Sequence, residues 1–166
     1  MEIQVLTPAQ ADLITEYLGR TAGPALREML RREISEGEVC IGAIHNGQVV
    51  GYTWISTTHA YLPGLSSIPI AVPLGQGWGW GHRTYTLLAY RGRGIHQALL
   101  ARRNSYAKEA GLLRCANMTE NDIALHNFLK GGCVVTGSYH DLRLLRRWRR
   151  TWSTGGVLER LTAPAP

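Results

Sequence analysis

Hydrophobic and polar positions change their period several times along the first part of the chain. Ile3–Leu6 predicts a short strand, and Thr7–Pro8 predicts the start of a helix that runs to about Leu18. A second helix is predicted after Gly23–Pro24, because four apolar residues follow helical spacing there: Leu26, Met29, Leu30 and Ile34.

Two longer apolar runs, Val39–His45 and Val49–Thr58, predict strands joined at Asn46–Gly47, a strong hairpin signal. Residues 59–81 are rich in Pro and Gly and predict a long connection. If Gly75–His82 is extended, one face holds only glycine and the other holds Gln76, Trp78, Trp80 and His82. The tryptophans either fill the core or, with Trp54, form a substrate wall.

The second half of the chain alternates strands and helices more regularly. The predicted elements are a strand at Arg83–Leu88, a turn at Tyr90–His96, a helix at Ile95–Ala110, a strand at Leu112–Met118, a helix at Asn121–Lys130, and a closing hairpin of Val134–Tyr139 with Leu142–Trp148. The order β-α-α-β-β-β-α-β-α-β-β predicts an α/β (α+β) fold, a mixed sheet flanked by helices. We expect one domain over residues 1–160 and a frayed tail over residues 161–166.

Composition narrows the class of protein. The chain of 166 residues is 45% hydrophobic and 18% charged, which is typical of a globular domain. No apolar run is long enough to cross a bilayer, and the first residues lack the pattern of a signal peptide. Three widely spaced cysteines, Cys40, Cys115 and Cys133, are typical of thiols in a reducing compartment, so we expect a cytoplasmic protein.

Charge is distributed unevenly around a net value of +6. Residues 39–108 contain neither Asp nor Glu, and such a stretch favours an anionic ligand. It also excludes a carboxylate general base from the central strands. His82 is then a candidate base, although an ordinary strand histidine remains the alternative.

The segment Tyr90–His96 has the pattern of an anion-binding turn. A predicted strand ends in a turn with Gly92 and Gly94 and leads directly into a helix N-terminus, whose free amides attract phosphate. Arg91 and Arg93 add positive charge. The segment lacks the Gly-Lys-Ser/Thr ending of a Walker A loop and the third glycine of a dinucleotide fingerprint.

With this turn, the chain resembles the GNAT superfamily of acyl-CoA-dependent N-acyltransferases. The pyrophosphate motif of that family, Arg/Gln-x-x-Gly-x-Gly/Ala, is matched by Arg91 and Gly94 and imperfectly by His96. A second motif, Asn-x-x-Ala-x-x-x-Tyr before Gly-Phe, is matched by Asn121 and Ala124, with Phe128 and Gly132–Cys133 as altered ends. The resemblance covers nearly the whole chain and implies a GNAT-like, mostly antiparallel twisted sheet.

The resemblance implies which residues bind acetyl-CoA or another acyl-CoA. They are Thr86, Leu87 and Leu88 along the pantetheine arm, Arg91, Gly92, Arg93, Gly94, Ile95 and His96 at the pyrophosphate, and Asn121 and Phe128 on the second helix. Asn121 can equally be a helix N-cap. The side chain of His96 either crowds or contacts the phosphates. Phe128 stands where many relatives have a tyrosine that protonates the departing thiolate, and it has no O–H.

The implied reaction is direct attack of an amine on the thioester, in an N-acetyltransferase that forms a ternary complex. Candidate catalytic residues are His82, Tyr139 and Tyr85, and His140 is a candidate at the substrate. The remaining histidines show no ligand spacing with Cys or acids, so we predict no metal site.

The acceptor amine is expected on a small molecule such as an amino sugar or amino acid, since few acids are present to receive a polycation. An RNA-linked amine such as aminoacyl-tRNA, or a protein amine, is the alternative, because the basic segment Arg143–Arg150 is interleaved with tryptophan. A third alternative is a degenerate acyl-CoA-binding module. We expect no membrane partner and a monomer or homodimer.

Overall fold

The fold is built on one central sheet with helices on both faces. A computed structural model describes residues 1–62, 70–144 and 148–164, and the side chains of residues 139–152 and 157 lie outside that description. The elements are β1 (Glu2–Val5), a 3₁₀ helix (Pro8–Leu13), β2 (Glu16–Tyr17), β3 (Arg20–Thr21), α1 (Pro24–Ser35), β4 (Val39–His45), β5 (Gln48–Ser56), β6 (His59–Leu62), β7 (Ile70–Pro73), β8 (Trp78–Thr86), a 3₁₀ turn (Leu88–Tyr90), α2 (Ile95–Glu109), β9 (Arg114–Asn117), α3 (Asp122–Lys130), β10 (Tyr139–Leu144), β11 (Trp148–Ser153) and α4 (Val157–Thr162).

Five strands form the central sheet in the order β1-β4-β5-β8-β9. Three neighbouring pairs are antiparallel, and β8 pairs with β9 in parallel. The β4–β5 hairpin turns at Asn46 and Gly47, which both have positive φ, as an Asn-Gly turn requires. This mixed, mostly antiparallel sheet flanked by helices confirms the predicted fold class.

Two apolar clusters cover the two faces of the sheet. On the α1 face, α1 packs through Leu30 against Cys40, Tyr52 and Trp54, all fully buried. On the opposite α2 face, Ile95 and Leu99 of α2 pack against three residues of β4 and β5: Ile41, Ala43 and Val50. Because side chains alternate along a strand, strands covered on both faces are almost continuously apolar.

The predicted first helix is wrong beyond its first turns. Only Pro8–Leu13 is helical, as a 3₁₀ helix, and the chain then forms the small β2–β3 hairpin. Leu18 and Gly19 both have positive φ, which breaks any helix at that point. The hydroxyl of Tyr52 accepts a hydrogen bond of 2.8 Å from the Leu18 N–H and so fixes this turn to the sheet.

The predicted long connection over residues 59–81 contains more structure than its composition indicated. It forms the β6–β7 hairpin, and β8 begins at Trp78, earlier than the strand predicted from Arg83. Trp78 and Trp80 pack with Leu62 in a third apolar cluster. Both residues are buried, as the core alternative predicts, and their role in substrate binding stays a prediction.

The predictions for the C-terminal part also need correction. The closing hairpin pairs Tyr139–Leu144 with Trp148–Ser153, instead of Val134–Tyr139 with Leu142–Trp148. Residue 161, predicted to begin a frayed tail, belongs to α4, where the Leu161 side chain is 2% exposed in the third cluster. Burial of Leu161 therefore holds α4 against the third cluster. None of the described helices is long and apolar enough to span a bilayer.

We predict that Leu161→Ala destabilises the protein by about 2–5 kcal/mol, the usual effect of removing a buried leucine side chain. Urea unfolding followed by circular dichroism measures the change. Leu129→Ala is the control, since Leu129 is 48% exposed and its loss should change the free energy of unfolding by less than about 0.5 kcal/mol. Equal stability of the two variants would contradict the packing of α4.

Candidate active site

The turn before α2 exposes backbone amides to an open surface. Gly92 and Gly94 have φ values of +75° and +74°, and a Cβ built on either residue would meet nothing within 4 Å. Gly94 is the N-cap of α2 and provides no side-chain cap, and the first turn of the helix holds no acidic residue. The first N–H groups of α2 are therefore free for an anion.

Two arginines keep positive charge at this turn. The guanidinium of Arg91 lies over the ring of Tyr85, and its Nε donates to the carbonyl of Thr86 at 3.2 Å. The guanidinium of Arg93 lies over the ring of Tyr90, with its carbon 5.1 Å from the ring centre. Both residues are exposed, so their free N–H groups can reach a phosphate.

The side chain of His96 packs towards α3. Its ring lies 5.9 Å from the ring of Phe128 on α3, and its Nδ1 is buried without a partner among the described residues. Burial, followed by the charge of Arg103, lowers the pKa of His96. A neutral imidazole packed on α3 leaves room for phosphate at Gly92 and Gly94.

A cleft opens where β8 and β9 part. The two strands pair only from Trp78 with Arg114 to Gly81 with Asn117, and β8 then continues to Thr86 with no β9 residue beside it. Residues 82–86 therefore present one backbone edge to the cleft, which suits an extended ligand that carries amides. The Oγ1 of Thr86 is buried there without a described partner.

The residues after Thr86 leave this edge. The Leu87 N–H donates to the carbonyl of Val50 at 3.0 Å, and Leu88, 73% exposed, begins a 3₁₀ turn.

On the other side of the cleft, Asn121 is the N-cap of α3: its Oδ1 accepts from the N–H groups of residues 123 and 124. The N-cap alternative for Asn121 is confirmed, and its contact with the pantetheine arm stays a prediction.

A β-bulge shapes the open part of β8. Thr53 alone on β5 faces both Arg83 and Thr84 on β8, and Arg83 has a φ of +47°. His82 and Tyr85 are three positions apart, and in a regular strand their side chains would lie on opposite faces. The bulge adds one residue between them, so both lie on the α1 face. They pair with Trp54 and Tyr52, which pack on that face.

His82 is held in a hydrogen-bonded cluster at the closed end of the cleft. Its Nε2 lies 3.1 Å from the Oε2 of Glu38, and the hydroxyl of Tyr61 donates to the Oε1 of Glu38 at 2.9 Å. The side chains of His82 and Glu38 are 9% and 15% exposed. With Nε2–H directed at Glu38, Nδ1 carries the lone pair, and it is buried without a partner in the described part of the chain.

The electrostatics of this cluster suit a proton acceptor. Burial lowers the pKa of His82, although its hydrogen bond with Glu38 acts in the opposite direction. Burial raises the pKa of Glu38, but the hydrogen bonds from His82, Ser56 and Tyr61 together lower it. At neutral pH, Glu38 is therefore ionised and His82 is neutral, the protonation state of a general base.

A polar pocket of about 300 Å³ adjoins His82 on the α1 face. Three carboxylates and two guanidinium groups line it with other polar residues: Arg32, Glu33, Glu36, Glu38, Thr58, Tyr61, His82 and Arg83. Arg83 and Glu33 form an ion pair in it. The pocket therefore has groups for an ammonium and also for an anionic or polar substituent.

Sequence reasoning missed the acids of this pocket. Glu33 lies on α1, and Glu38 is the last residue before the stretch without carboxylates. The exclusion of a carboxylate from the central strands is correct, yet α1 and the turn after it bring acids to the same place. The signal that could have identified Glu38 is its position directly before β4, the strand that pairs with β5.

The other candidate residues lie in different surroundings. The hydroxyl of Tyr85 donates to Glu16, and this hydrogen bond is the main cause that raises the pKa of Tyr85. Trp54 is fully buried beside His82. Tyr139 and His140 begin β10, and their side chains lie outside the described residues. The roles of all four in catalysis or substrate binding stay predictions.

Comparison with known proteins gives one family match. The sequence model of the "Acetyltransferase (GNAT) family" matches residues 9–132. A search of curated proteins finds no match.

Solved structures share the fold at low identity. The aminoglycoside N-acetyltransferase AAC(6')-Iy, in complex with a bisubstrate analogue, has a TM-score of 0.65 and 19% identity over 86% of this chain and 97% of that one. A putative acetyltransferase from Agrobacterium tumefaciens has a TM-score of 0.64 and 16% identity over 87% and 100%. A ribosomal-protein-alanine N-acetyltransferase from Brucella melitensis has a TM-score of 0.63 and 16% identity over 87% and 100%.

We predict that Gly94→Asp weakens binding of coenzyme A at least tenfold in isothermal calorimetry, because a carboxylate would occupy the position of a phosphate. Gly47→Asp is the matched control. Gly47 has the same φ of +74° and equally open surroundings, but it lies in the β4–β5 turn. Both variants carry the same backbone strain, so a loss of affinity common to both would argue against phosphate binding at Gly94.

Proposed function

The chain belongs to the GNAT family of acetyltransferases, and we propose that it transfers an acetyl or short acyl group from acyl-CoA to a primary amine of a small molecule. The observation that carries this proposal is the continuity of the cleft. The open edge of β8 leads from the amides at Gly92 and Gly94 to His82, beside a pocket with acidic groups.

The cofactor segments fit coenzyme A in three respects. The turn offers free amides and two arginines without a carboxylate to repel phosphate. The β8 edge over residues 82–86 offers backbone groups to the amides of a pantetheine arm, and Thr86 has a hydroxyl free to join them. Coenzyme A supplies the activated thioester, and the protein supplies position and a route for one proton.

His82 is proposed as the general base. Its Nδ1 takes the proton that the amine loses on forming the new C–N bond, while Glu38 holds the imidazole through Nε2. The burial of His82 excludes bulk water from this transfer. Tyr61 fixes the second oxygen of Glu38, so the carboxylate has one orientation.

The pocket supports a small acceptor amine. Its volume of about 300 Å³ lies at the lower end of the range for small-molecule sites. Glu33 and Glu38 can face an ammonium, and Arg83 and Arg32 can face a carboxylate or phosphate substituent. This mixture of charges suits an amino acid or an amino sugar better than a polycation, which would meet the two arginines.

The basic segment that motivated the RNA alternative gains no support. Residues 145–147 and the side chains around them lie outside the described residues. Binding of tRNA with a steep salt dependence would favour that alternative, because phosphate contacts release counterions.

The test of the proposed function is a thiol-release assay with acetyl-CoA and a panel of amines. We predict release with at least one small amine and a 10²–10⁴-fold lower kcat for His82→Ala, the usual contribution of a general base. His126→Ala is the control, since His126 is exposed on α3. Coenzyme A affinity should be the same in all three proteins. Binding of coenzyme A without thiol release from any amine would instead indicate a degenerate binding module.

We predict that kcat is constant at pH values above the pKa of His82, which lies below 6.5. At lower pH kcat should fall, because His82 is then protonated. Glu38→Gln keeps a hydrogen-bond acceptor but removes a charge that raises this pKa, so the acid limb should move to lower pH. Glu33 also raises and Arg83 lowers the pKa of His82, and both remain in the variant. Both proteins are assayed with the same saturating amine. Identical acid limbs in the pH profiles of the wild type and Glu38→Gln would contradict the role of Glu38.

A further inference from the structure

One arginine is buried on the α2 face without a counter-ion among the described residues. Arg103 of α2 is 1% exposed, and its Nη1 donates to the Oγ1 of Thr53 at 3.3 Å. Its Nε is buried with no partner in the described part of the chain, and no described carboxylate forms an ion pair with it. A buried cation without a partner is rare and destabilising, so its surroundings indicate what offsets it.

Arg103 lies at the closed end of the cleft between β8 and β9. A Cβ on Gly81 would lie 2.2 Å from the Nη1 of Arg103 and 2.1 Å from the Oδ1 of Asn117. Because Gly81 has no side chain, the guanidinium can lie beside Gly81 and Asn117, the last pair of residues before the strands part. The Oδ1 of Asn117 is also buried without a described partner.

Arg103 lies on α2 at some distance from the start of the phosphate turn. It is eight positions after Ile95, which corresponds to about 12 Å along the helix axis. A ligand that starts at Gly94 and follows the β8 edge reaches Arg103 with its far end. In the proposed function, that end is the thioester.

His82 and Arg103 flank this end of the cleft from opposite faces of the sheet. His82 follows Gly81 directly and contacts Glu38 and Tyr61 on the α1 face. The guanidinium of Arg103 lies on the α2 face, beside the backbone of Gly81. The amine pocket and the arginine are thus on opposite sides of the reacting bond.

We propose that Arg103 stabilises the thiolate of coenzyme A as it leaves. This inference rests on the proposed function and deepens it. The amine nitrogen forms a bond to the acyl carbon, the C–S bond breaks, and its electron pair stays on sulfur. The amine proton goes to the Nδ1 of His82, and the sulfur remains anionic beside the guanidinium until water protonates it.

The energetics favour the transition state over the bound substrates. Acetyl-CoA brings no charge to this end of the cleft, and no described carboxylate pairs with Arg103, so the interaction of the guanidinium with sulfur strengthens when the sulfur becomes negative. An interaction that forms only as charge develops lowers the barrier instead of tightening binding. Phe128 of α3, whose ring lies 5.9 Å from that of His96, has no proton to donate to sulfur.

We predict that the thiol of bound coenzyme A has a lower pKa in the wild-type protein than in Arg103→Met. Thiolate absorbance of the complex against pH measures this without turnover. The kcat with acetyl-CoA should fall about 10²–10³-fold in Arg103→Met, with little change in KM, and Arg103→Lys should recover part of it. If Arg103→Met does not fold, Arg103→Lys and Arg103→Gln provide the same comparison of charge.

Arg102→Met is the matched control, because Arg102 is on the same helix but pairs with Glu109 at the surface. It should leave the thiol pKa and kcat unchanged. Equal thiol pKa values in the wild type and Arg103→Met, with coenzyme A bound to both, would reject the role of Arg103 and leave the proposed function intact. A wild-type preference for malonyl-CoA that Arg103→Met loses would also reject it, in favour of a carboxylate ligand. Failure of the wild type to bind coenzyme A would reject both proposals.

Discussion

The parallel pairing of β8 with β9 ends at Gly81 and Asn117, and the position of the candidate site depends on this end. Beyond it, five residues of β8 keep β5 on one side and present an open edge on the other. An unpaired edge inside a fold is a liability unless something covers it. In the proposed function, a ligand with its own amides, anchored at the Gly92–Gly94 turn, would cover the edge by adding to the sheet. The bulge at Arg83 increases the twist where the strands part, so the cleft is a property of the backbone.

The glycines of β8 divide this cleft between the two faces of the sheet. Gly79 and Gly81 leave the α2 face open to side chains from other elements, whereas Trp80 and His82 fill the α1 face. The sequence pattern indicated this division into a glycine face and a face with tryptophan and histidine. The guanidinium of Arg103 occupies part of the space beside the glycines. The imidazole of His82 and the guanidinium of Arg103 therefore lie on opposite faces of the sheet near Gly81.

Local signals in the sequence identified the parts of the site that depend on neighbouring residues. The positive-φ glycines of the turn, the Asn46–Gly47 hairpin and the N-cap at Asn121 all follow from short-range geometry, and all were predictable. The pair of Glu38 and His82 spans 44 positions and depends on the register of β5 and β8. Arg103 lies four residues after Leu99, so helical spacing places it on the inward face of α2, but the spacing does not identify the groups that its guanidinium contacts. The register of the closing hairpin was mispredicted because alternation in a basic segment fits several pairings equally well.

The buried polar atoms without described partners concentrate around the cleft. Five of the ten are the Nδ1 of His82, the Oγ1 of Thr86, the Nδ1 of His96, the Nε of Arg103 and the Oδ1 of Asn117. A buried polar atom that lacks a partner destabilises a protein by roughly 1–3 kcal/mol, so a ligand that supplied partners to such atoms would gain affinity from them. In the proposed function, coenzyme A would bring an anion, amides and a sulfur to this cleft, and its binding would couple ligand affinity to the stability of the fold.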